Sequence, residues 1–193
     1  MAKKKSSLIN MVFTLFVITL VASAALGYIY ELTKDPISQM KQNKKLQAIK
    51  IVVPEFNNNP SADMYKIPTY EGTDSLECYP AKKDGELVGT AVKTYTKNGF
   101  GGLVWLMVGF KTDGTINDIS VLEQNETPGL GTKMTTAKFK NQFNNKNPEQ
   151  YKLSVKKDGG DVDAITAATI SSRAFCDAVN RAHKSFKNKG GDK

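Results

Sequence analysis

An uncharged apolar run near the N-terminus constrains this chain more than any other feature. Three lysines at positions 3 to 5 precede it, and residues 8–30 are 23 mostly apolar residues without a charged side chain. As a helix with a rise of about 1.5 Å per residue, the run is roughly 34 Å long, enough to cross a hydrocarbon core of about 30 Å. The sequence therefore predicts a transmembrane helix over residues 8–30, preceded by a basic tail over residues 1–7.

The same lysines predict the orientation of the chain. Clustered positive charges stay preferentially on the cytoplasmic side of a membrane, so the N-terminus is expected there and the residues after Glu31 on the outer face. A cleaved secretory signal is the alternative, because Ala22, Ser23 and Ala24 form a possible processing site. The length of the apolar run favours a retained single-pass anchor in the cell (inner) membrane. Both interpretations export the same domain.

Charge and cysteine usage limit the classes of partner. The net charge of +8 falls to +5, from 24 basic and 19 acidic residues, once the three cytoplasmic lysines are set aside. A basic excess suits nucleic acid, an anionic membrane surface or an acidic partner, but an exported domain does not meet nucleic acid. Cys78 and Cys176 lack metal-site spacing, and the sequence leaves open whether they pair.

Two turn signals predict the sheet of the exported part. Asp84 and Gly85 separate the extended patterns 77–83 and 86–96, and a second Asp-Gly pair at 113–114 separates 103–110 from 116–123. Asp-Gly between such runs is a strong hairpin signal, so four antiparallel strands are expected.

Helices are expected on both sides of these strands in the chain. Pro36 is expected to end or kink the first helix, and residues 31–75 are expected to form a neck helix and a loop. Near the C-terminus Phe175, Val179, Ala182 and Phe186 form one helical face that should pack on the sheet. His183 is expected on the polar side of that helix. The predicted fold class is α+β, with a mainly antiparallel sheet and packed helices in a domain over 76–187 and a polar tail over 188–193.

A threonine motif stands directly before the closing helix. Residues 163–169 read D-x-x-T-x-A-T, which places Thr169 at the predicted helix start. The first turn of a helix has unpaired N–H groups and the positive end of the macrodipole, so it stabilises an anion such as a phosphate. Helix capping by Thr166 or Thr169 is the ordinary structural alternative.

Two glycine-rich stretches precede this motif. Residues 99–102 read G-F-G-G, and residues 126–131 read E-T-P-G-L-G. A backbone without Cβ atoms can approach a planar ligand closely, although glycines also serve plain turns. Neither stretch has the βαβ setting of a dinucleotide fingerprint.

Together, and in this order, the three stretches resemble the FMN-binding domain family shared by the G subunit of Rnf complexes and the C subunit of the sodium-translocating NADH:quinone reductase. The resemblance covers roughly residues 84–179. It implies that Thr169 carries FMN through a phosphoester and that a separate flavin transferase recognises Asp163, Thr166, Ala168 and Thr169. It also implies that the second motif forms a wall beside the flavin. The residues expected to contact the cofactor there are Glu126, Thr127, Gly129, Leu130, Gly131 and Lys133.

One position departs from the family pattern, which usually has Gly where this chain has Ala167. If that position requires a positive φ angle, Ala costs about 1 kcal/mol relative to Gly, and modification by the transferase would be slower.

The function implied by the resemblance is electron relay between other subunits of a membrane-bound complex that couples electron transfer between ferredoxin and NAD to ion translocation. No independent turnover is expected of this redox subunit. The compact chain resembles the Rnf G subunit more than the longer C subunit of the quinone reductase, which is the alternative. A membrane-tethered binding module without a redox role is the alternative from a different class. A hydrolase is disfavoured, because the chain has one histidine and no nucleophile elbow.

Overall fold

The structure of the protein, a computed structural model, describes residues 8–72 and 74–190. The predicted tail 1–7 and the last three residues of the chain lie outside the described residues. Five strands and three α-helices form the described chain, with two short 3-10 helices, Gly131–Thr135 and Lys156–Asp158. In chain order the main elements are α1 (Leu8–Val52), β1 (Tyr65–Pro68), β2 (Ser75–Lys83), β3 (Glu86–Gly99), β4 (Gly102–Lys111), β5 (Ile116–Glu123), α2 (Ala137–Lys140) and α3 (Thr169–Gly190).

The N-terminal apolar helix predicted from the sequence is present. Among the described residues, α1 is the one helix that is long and apolar enough to cross a membrane, and every residue from 8 to 43 is exposed. The helix does not end at Pro36, which was one of the two outcomes predicted from the sequence. A proline removes one backbone hydrogen bond, and at an exposed position the freed carbonyl can be solvated, so the helix need not stop there.

The chain divides into two compact units, and the second begins at Lys44 within α1. Its sheet is an antiparallel meander with strand order β1-β2-β3-β4-β5. The four predicted strands are confirmed, and both predicted turns lie between paired neighbours. Asp84 and Gly85 have φ angles of 53° and 90°, the positive values that a tight two-residue hairpin turn requires. The edge strand β1 was not predicted, because its four residues alternate too weakly to indicate a strand.

Two cores cover the two faces of this sheet. On one face α3 buries Phe175, Val179 and Ala182, and Phe186 packs against the same cluster. On the other face the C-terminal end of α1, from Ala48 to Val53, packs on Tyr79 and Met107. The predicted α+β architecture, with helices on a mainly antiparallel sheet, is confirmed.

The close contact of α1 with the sheet depends on one glycine and one asparagine. A Cβ atom on Gly109 would lie 1.8 Å from the carbonyl oxygen of Val52, so only glycine admits the helix end here. The Asn117 side-chain amide donates a hydrogen bond of 2.9 Å to the same carbonyl. The end of the long helix is therefore fixed on the sheet by a backbone group.

The segments between β5 and α3 have little regular structure. Their α-helix is the single turn of α2, and Val155 and Val162 form an isolated β-bridge. Cys78 and Cys176 are both buried and form no disulfide. Burial raises the pKa of the Cys176 thiol to about 12, which makes it an unreactive core residue.

Candidate functional site

The G-F-G-G stretch, the E-T-P-G-L-G loop and the first turn of α3 meet at the buried carboxylate of Glu126. Its Oε1 atom accepts a hydrogen bond of 3.0 Å from the N–H of Gly101, which belongs to the G-F-G-G stretch. Its Oε2 atom accepts one from the hydroxyl of Ser171, in the first turn of α3. Glu126 is 4 % exposed. One carboxylate thus connects the turn between β3 and β4, the E-T-P-G-L-G loop and the helix that follows the threonine motif.

Two glycines make this convergence sterically possible. A Cβ atom on Gly101 would lie 1.9 Å from the carbonyl oxygen of Asn125, and one on Gly131 would lie 2.5 Å from the hydroxyl oxygen of Ser171. The sequence predicted that these glycines let the backbone approach a planar ligand. In the structure they also let the loops of the protein approach one another.

Internal hydrogen bonds hold the E-T-P-G-L-G loop together, and its middle residues are exposed. The N–H of Leu130 donates to the carbonyl of Thr127 at 3.1 Å, and the N–H of Gly129 donates to the Thr132 hydroxyl at 3.0 Å. Glu126 and Gly131 are buried at the two ends, whereas Thr127, Gly129 and Leu130 are exposed. Glu126 therefore supports the loop from inside, and the loop offers Thr127 and Leu130 to the surface.

The first residue of the threonine motif is held by its backbone. The N–H of Asp163 donates to the Gln142 side-chain oxygen at 2.8 Å, and the Gln142 amide donates to the Asp163 carbonyl at 3.2 Å. The Asp163 carboxylate forms an exposed ion pair with Lys156 at 2.8 Å. Sequence reasoning did not single out Gln142, which has no distinguishing pattern around it.

The turn between Asp163 and the helix is fixed by the buried Ser172. The N–H of Ile165 donates to the Ser172 hydroxyl at 2.9 Å, and this hydroxyl donates to the Ala168 carbonyl at 3.0 Å. The N–H of Ser172 donates to the same carbonyl at 3.0 Å. Ser172 was also missed from the sequence, although a serine three residues beyond Thr169 is placed to bond back across a helix start.

Thr169 is the first residue of α3 and is partly exposed. Its hydroxyl has no hydrogen-bond partner in the described part of the chain, and the helical hydrogen bonds of α3 begin with the N–H of Ser172. The hydroxyl is thus free for chemistry beside the unpaired N–H groups of a helix start. The structure gives no support to the alternative in which this hydroxyl caps α3.

Ala167 has a φ angle of 62°, in the left-handed region that disfavours a side chain. Residue 167 therefore has the positive φ angle at which Ala costs more than Gly. This is a physical reason for the Gly that the family usually has at this position. We expect Ala167→Gly to raise the free energy of unfolding by about 1 kcal/mol, because glycine adopts this conformation without steric cost.

Urea-induced unfolding measures the stability of Ala167→Gly. A time course with a flavin transferase measures its modification, which we expect to be faster than that of the original protein. Ala164→Gly is the matched control, since Ala164 is an exposed residue of the same motif without a positive φ angle. Equal effects of the two substitutions would mean that backbone strain at residue 167 is not what limits either property.

A recess of about 380 Å³ lies beside the threonine motif. Asp163, Thr166 and Gln142 line it from one side, and Lys133 lines it from the E-T-P-G-L-G side. Within the described residues Lys133 has no ion-pair partner, whereas Lys156 is paired with Asp163. The structure therefore brings Lys133 to the motif as a free positive charge, although Thr169 itself does not line the recess.

Three exposed apolar side chains adjoin the Glu126 network. Phe100 precedes Gly101, Leu130 precedes Gly131, and Ile170 precedes Ser171, and their exposed fractions are 69 %, 38 % and 49 %. The three following residues contact Glu126, so these exposed apolar side chains adjoin one network, and Ile170 directly follows Thr169. A helix start that can hold a phosphate and exposed apolar side chains that can contact a ring suit a flavin mononucleotide.

Arg173, near the start of α3, forms an ion pair with Asp158. Its guanidinium donates two hydrogen bonds of 2.7 Å to the Asp158 carboxylate. This contact lowers the pKa of Asp158 and raises that of Arg173. The arginine is thus engaged with Asp158, whereas Lys133 and Lys138 of the recess have no ion-pair partner among the described residues.

Residues 99–184 match the FMN-binding domain family. Over 185 residues the chain is 35 % identical to the G subunit of the Na(+)-translocating ferredoxin:NAD(+) oxidoreductase complex of Acetobacterium woodii, covering 90 % of this chain and 89 % of the relative. It is 34 % identical over 177 residues to the G subunit of the ion-translocating oxidoreductase complex of Erwinia tasmaniensis, covering 87 % and 84 %. Among solved structures, NqrC of Shewanella oneidensis gives a TM-score of 0.46 at 23 % identity over 62 % of each chain.

The similarity to these two relatives covers 84–90 % of each chain. It agrees with the family resemblance of those motifs, and it favours the G subunit over the C subunit of the quinone reductase, as predicted. The chain belongs to the family of G subunits of ion-translocating (Rnf-type) oxidoreductase complexes, which carries an FMN-binding domain.

Proposed function

We propose that this chain carries one FMN as a phosphoester on Thr169 and relays electrons between other subunits of a membrane-bound Rnf-type complex. The observation that carries the proposal is the position of the Thr169 hydroxyl. It is partly exposed and without a hydrogen-bond partner among the described residues, and it stands at the start of α3, whose first turn is bonded to Glu126 of the E-T-P-G-L-G loop. Membership of the G-subunit family supports the role in electron transfer.

The residues of the site would hold the cofactor at three points. The first N–H groups of α3 would bind the phosphate, which the helix dipole also stabilises. Leu130 and Ile170 would contact the ring, with Thr127 as a polar neighbour, and Lys133 would balance negative charge from the recess. When bound, FMN supplies the acceptance and release of electrons, and the protein supplies position and electrostatic environment.

Covalent attachment explains why the site is a surface and not a deep cavity. A tethered cofactor does not dissociate, so the protein need not enclose it to retain it. An exposed ring edge can come close to a redox centre on a partner subunit. The chain therefore needs no substrate cavity of its own and no independent turnover.

Ion translocation itself is assigned to the other subunits of the complex. Residues 8–30 contain no acidic, basic or histidine side chain. Intramembrane ion pathways generally use ionisable groups, so this helix serves as an anchor. The complex as a whole is the translocase that couples electron transfer between ferredoxin and NAD to ion movement, and this chain is its flavin relay.

The proposed topology places the N-terminus in the cytoplasm and the FMN-binding domain on the outer face of the cell membrane. It rests on the lysines at positions 3 to 5 and on the apolar length of α1. A flavin transferase must then act on the outer side, where Asp163, Thr166, Ala168 and Thr169 form the segment that it recognises.

One experiment tests both the attachment and the topology. The full chain is co-expressed with a flavin transferase that is either exported or retained in the cytoplasm, and the intact mass and the fragments of the peptide with Thr169 are measured. We expect the mass of one FMN less water on Thr169, and only with the exported transferase. Unmodified protein with both versions, beside a modified positive control, would overturn the covalent flavin. Modification only by the cytoplasmic version would overturn the orientation.

A further inference from the structure

A second cavity, of about 920 Å³, opens at the opposite end of α3 from the flavin site. His183, Phe186 and Lys187 line it from this helix, and Tyr65 and Thr90 line it from the sheet. His183 lies 14 residues after Thr169, which is about 21 Å along a helix axis. The cavity is thus separate from the three motifs, and its volume lies within the range of small-molecule sites, about 300–1,000 Å³.

The charged side chains around the cavity already have partners. Lys82 pairs with Asp63 at 3.3 Å, and Lys187 pairs with Glu149. The Asp113 carboxylate accepts hydrogen bonds from the N–H and the hydroxyl of Thr115, at 2.9 and 3.0 Å. Both lysines of the rim are thus paired with carboxylates, whereas Asp113 has no ion-pair partner among the described residues. The rim therefore offers no unpaired cation to an anionic ligand and favours a neutral occupant over an anionic one.

The floor of the cavity is aromatic and held in place. Phe186 stacks on Phe110, with ring centroids 5.3 Å apart and ring planes within 7°. Phe110 is fully buried, so the Phe186 ring has a fixed support. Tyr65 is half-buried on the edge strand β1. Rigid aromatic surfaces of this kind favour a flat aromatic ligand, which packs on them in offset or edge-on arrangements.

His183 supplies the polar contact. The sequence predicts a surface position for this residue, but the structure places it half-buried, with its ring centroid 6.2 Å from that of Phe110. Neither ring nitrogen has a hydrogen-bond partner among the described residues. Burial lowers its pKa, and among the neighbouring charges Lys184 and Lys187 act in the same direction while Glu149 opposes them. The neutral imidazole can thus accept or donate one hydrogen bond to a ligand.

We infer that this cavity is a binding site for a neutral, flat aromatic molecule that carries one hydroxyl or carbonyl group. The ring packs against Phe186 and Tyr65, and the polar group bonds to His183. The inference does not depend on the flavin or on Thr169. It gives the domain a second site on the same helix as the proposed flavin attachment.

The test uses 2-naphthol and naphthalene as probes with and without the hydroxyl group. The full chain in lipid nanodiscs is dialysed to equilibrium against identical nanodiscs without protein, so that partition into lipid cancels. We expect one saturable site for each probe. His183→Leu should weaken 2-naphthol about fivefold to tenfold, the value of one hydrogen bond, and leave naphthalene unchanged.

A filling variant locates the site. Leu87 lines the cavity and is 47 % exposed, so Leu87→Trp should abolish binding of both probes. Leu103→Trp is the matched control, because Leu103 is 39 % exposed but does not line the cavity, and it should leave binding intact. No binding above the protein-free nanodiscs would overturn the inference, as would binding that survives Leu87→Trp. Equal weakening of both probes by His183→Leu would overturn the role of His183.

Discussion

Thr169→Val is expected to abolish covalent FMN completely while leaving the domain folded. Valine replaces the hydroxyl with a methyl group of similar volume, so the phosphoester has no oxygen to form on. The Thr169 hydroxyl makes no hydrogen bond with a described residue, and the substitution therefore breaks no contact of the fold. We expect the free energy of unfolding to change by less than about 1 kcal/mol, as for a surface substitution away from special features. Intact mass and in-gel flavin fluorescence after co-expression with a transferase measure the loss.

Thr166→Val is the matched control for this prediction. Thr166 is exposed, belongs to the same motif and lines the recess next to Lys133. If it serves only recognition, its substitution slows modification but leaves the site of attachment unchanged. Full modification of the Thr169→Val protein would refute the assignment of Thr169. Loss of flavin in Thr166→Val with retention in Thr169→Val would move the attachment to Thr166.

The convergence of the three motifs was predictable only in part. Their residue types indicated a phosphate and a planar ring, and the Asp-Gly turns indicated the strands that carry them. The role of Glu126 was not visible, because a glutamate in a glycine-rich loop is usually exposed and nothing in the sequence pairs it with Ser171 or Gly101. Such contacts join residues far apart in the chain, and local periodicity carries no information about them.

The contrast between local sequence patterns and contacts of distant residues also explains where other sequence predictions differ from the structure. The edge strand β1 forms because β2 offers it a ladder of hydrogen bonds, with Ile67 opposite Leu76, and not because its own four residues favour a strand. Pro36 was expected to end or kink α1 by a local rule, but the helix does not end there. Ala167 is the opposite case. The glycine usual in the family raised the condition of a positive φ angle at this position, and the structure meets that condition.

Glu126→Ala is the second substitution with a large expected effect, because the Glu126 carboxylate joins the G-F-G-G stretch to the first turn of α3. Its loss leaves the Gly101 N–H and the Ser171 hydroxyl without their acceptor in a buried setting, at a cost of about 1–3 kcal/mol for an unsatisfied group. The removed side chain also leaves a void between the loop and α3. We expect the free energy of unfolding to fall by about 3 kcal/mol. Urea-induced unfolding followed by the fluorescence of Trp105, the single tryptophan, measures it.

Glu126→Gln separates the shape of this side chain from its charge. Glutamine can still accept from the Gly101 N–H, and its amide can donate to the Ser171 hydroxyl, which rotates to accept. The stability should therefore stay within about 1 kcal/mol of the original protein, and flavin attachment should be retained. In Glu126→Ala, attachment should be severalfold slower even where the protein is folded, since the start of α3 is no longer held against the loop. If both variants were destabilised equally, the negative charge would be the essential property of Glu126. If neither were, the motifs would be held together by other contacts, and Glu126 would lose the positioning role that the structure assigns to it.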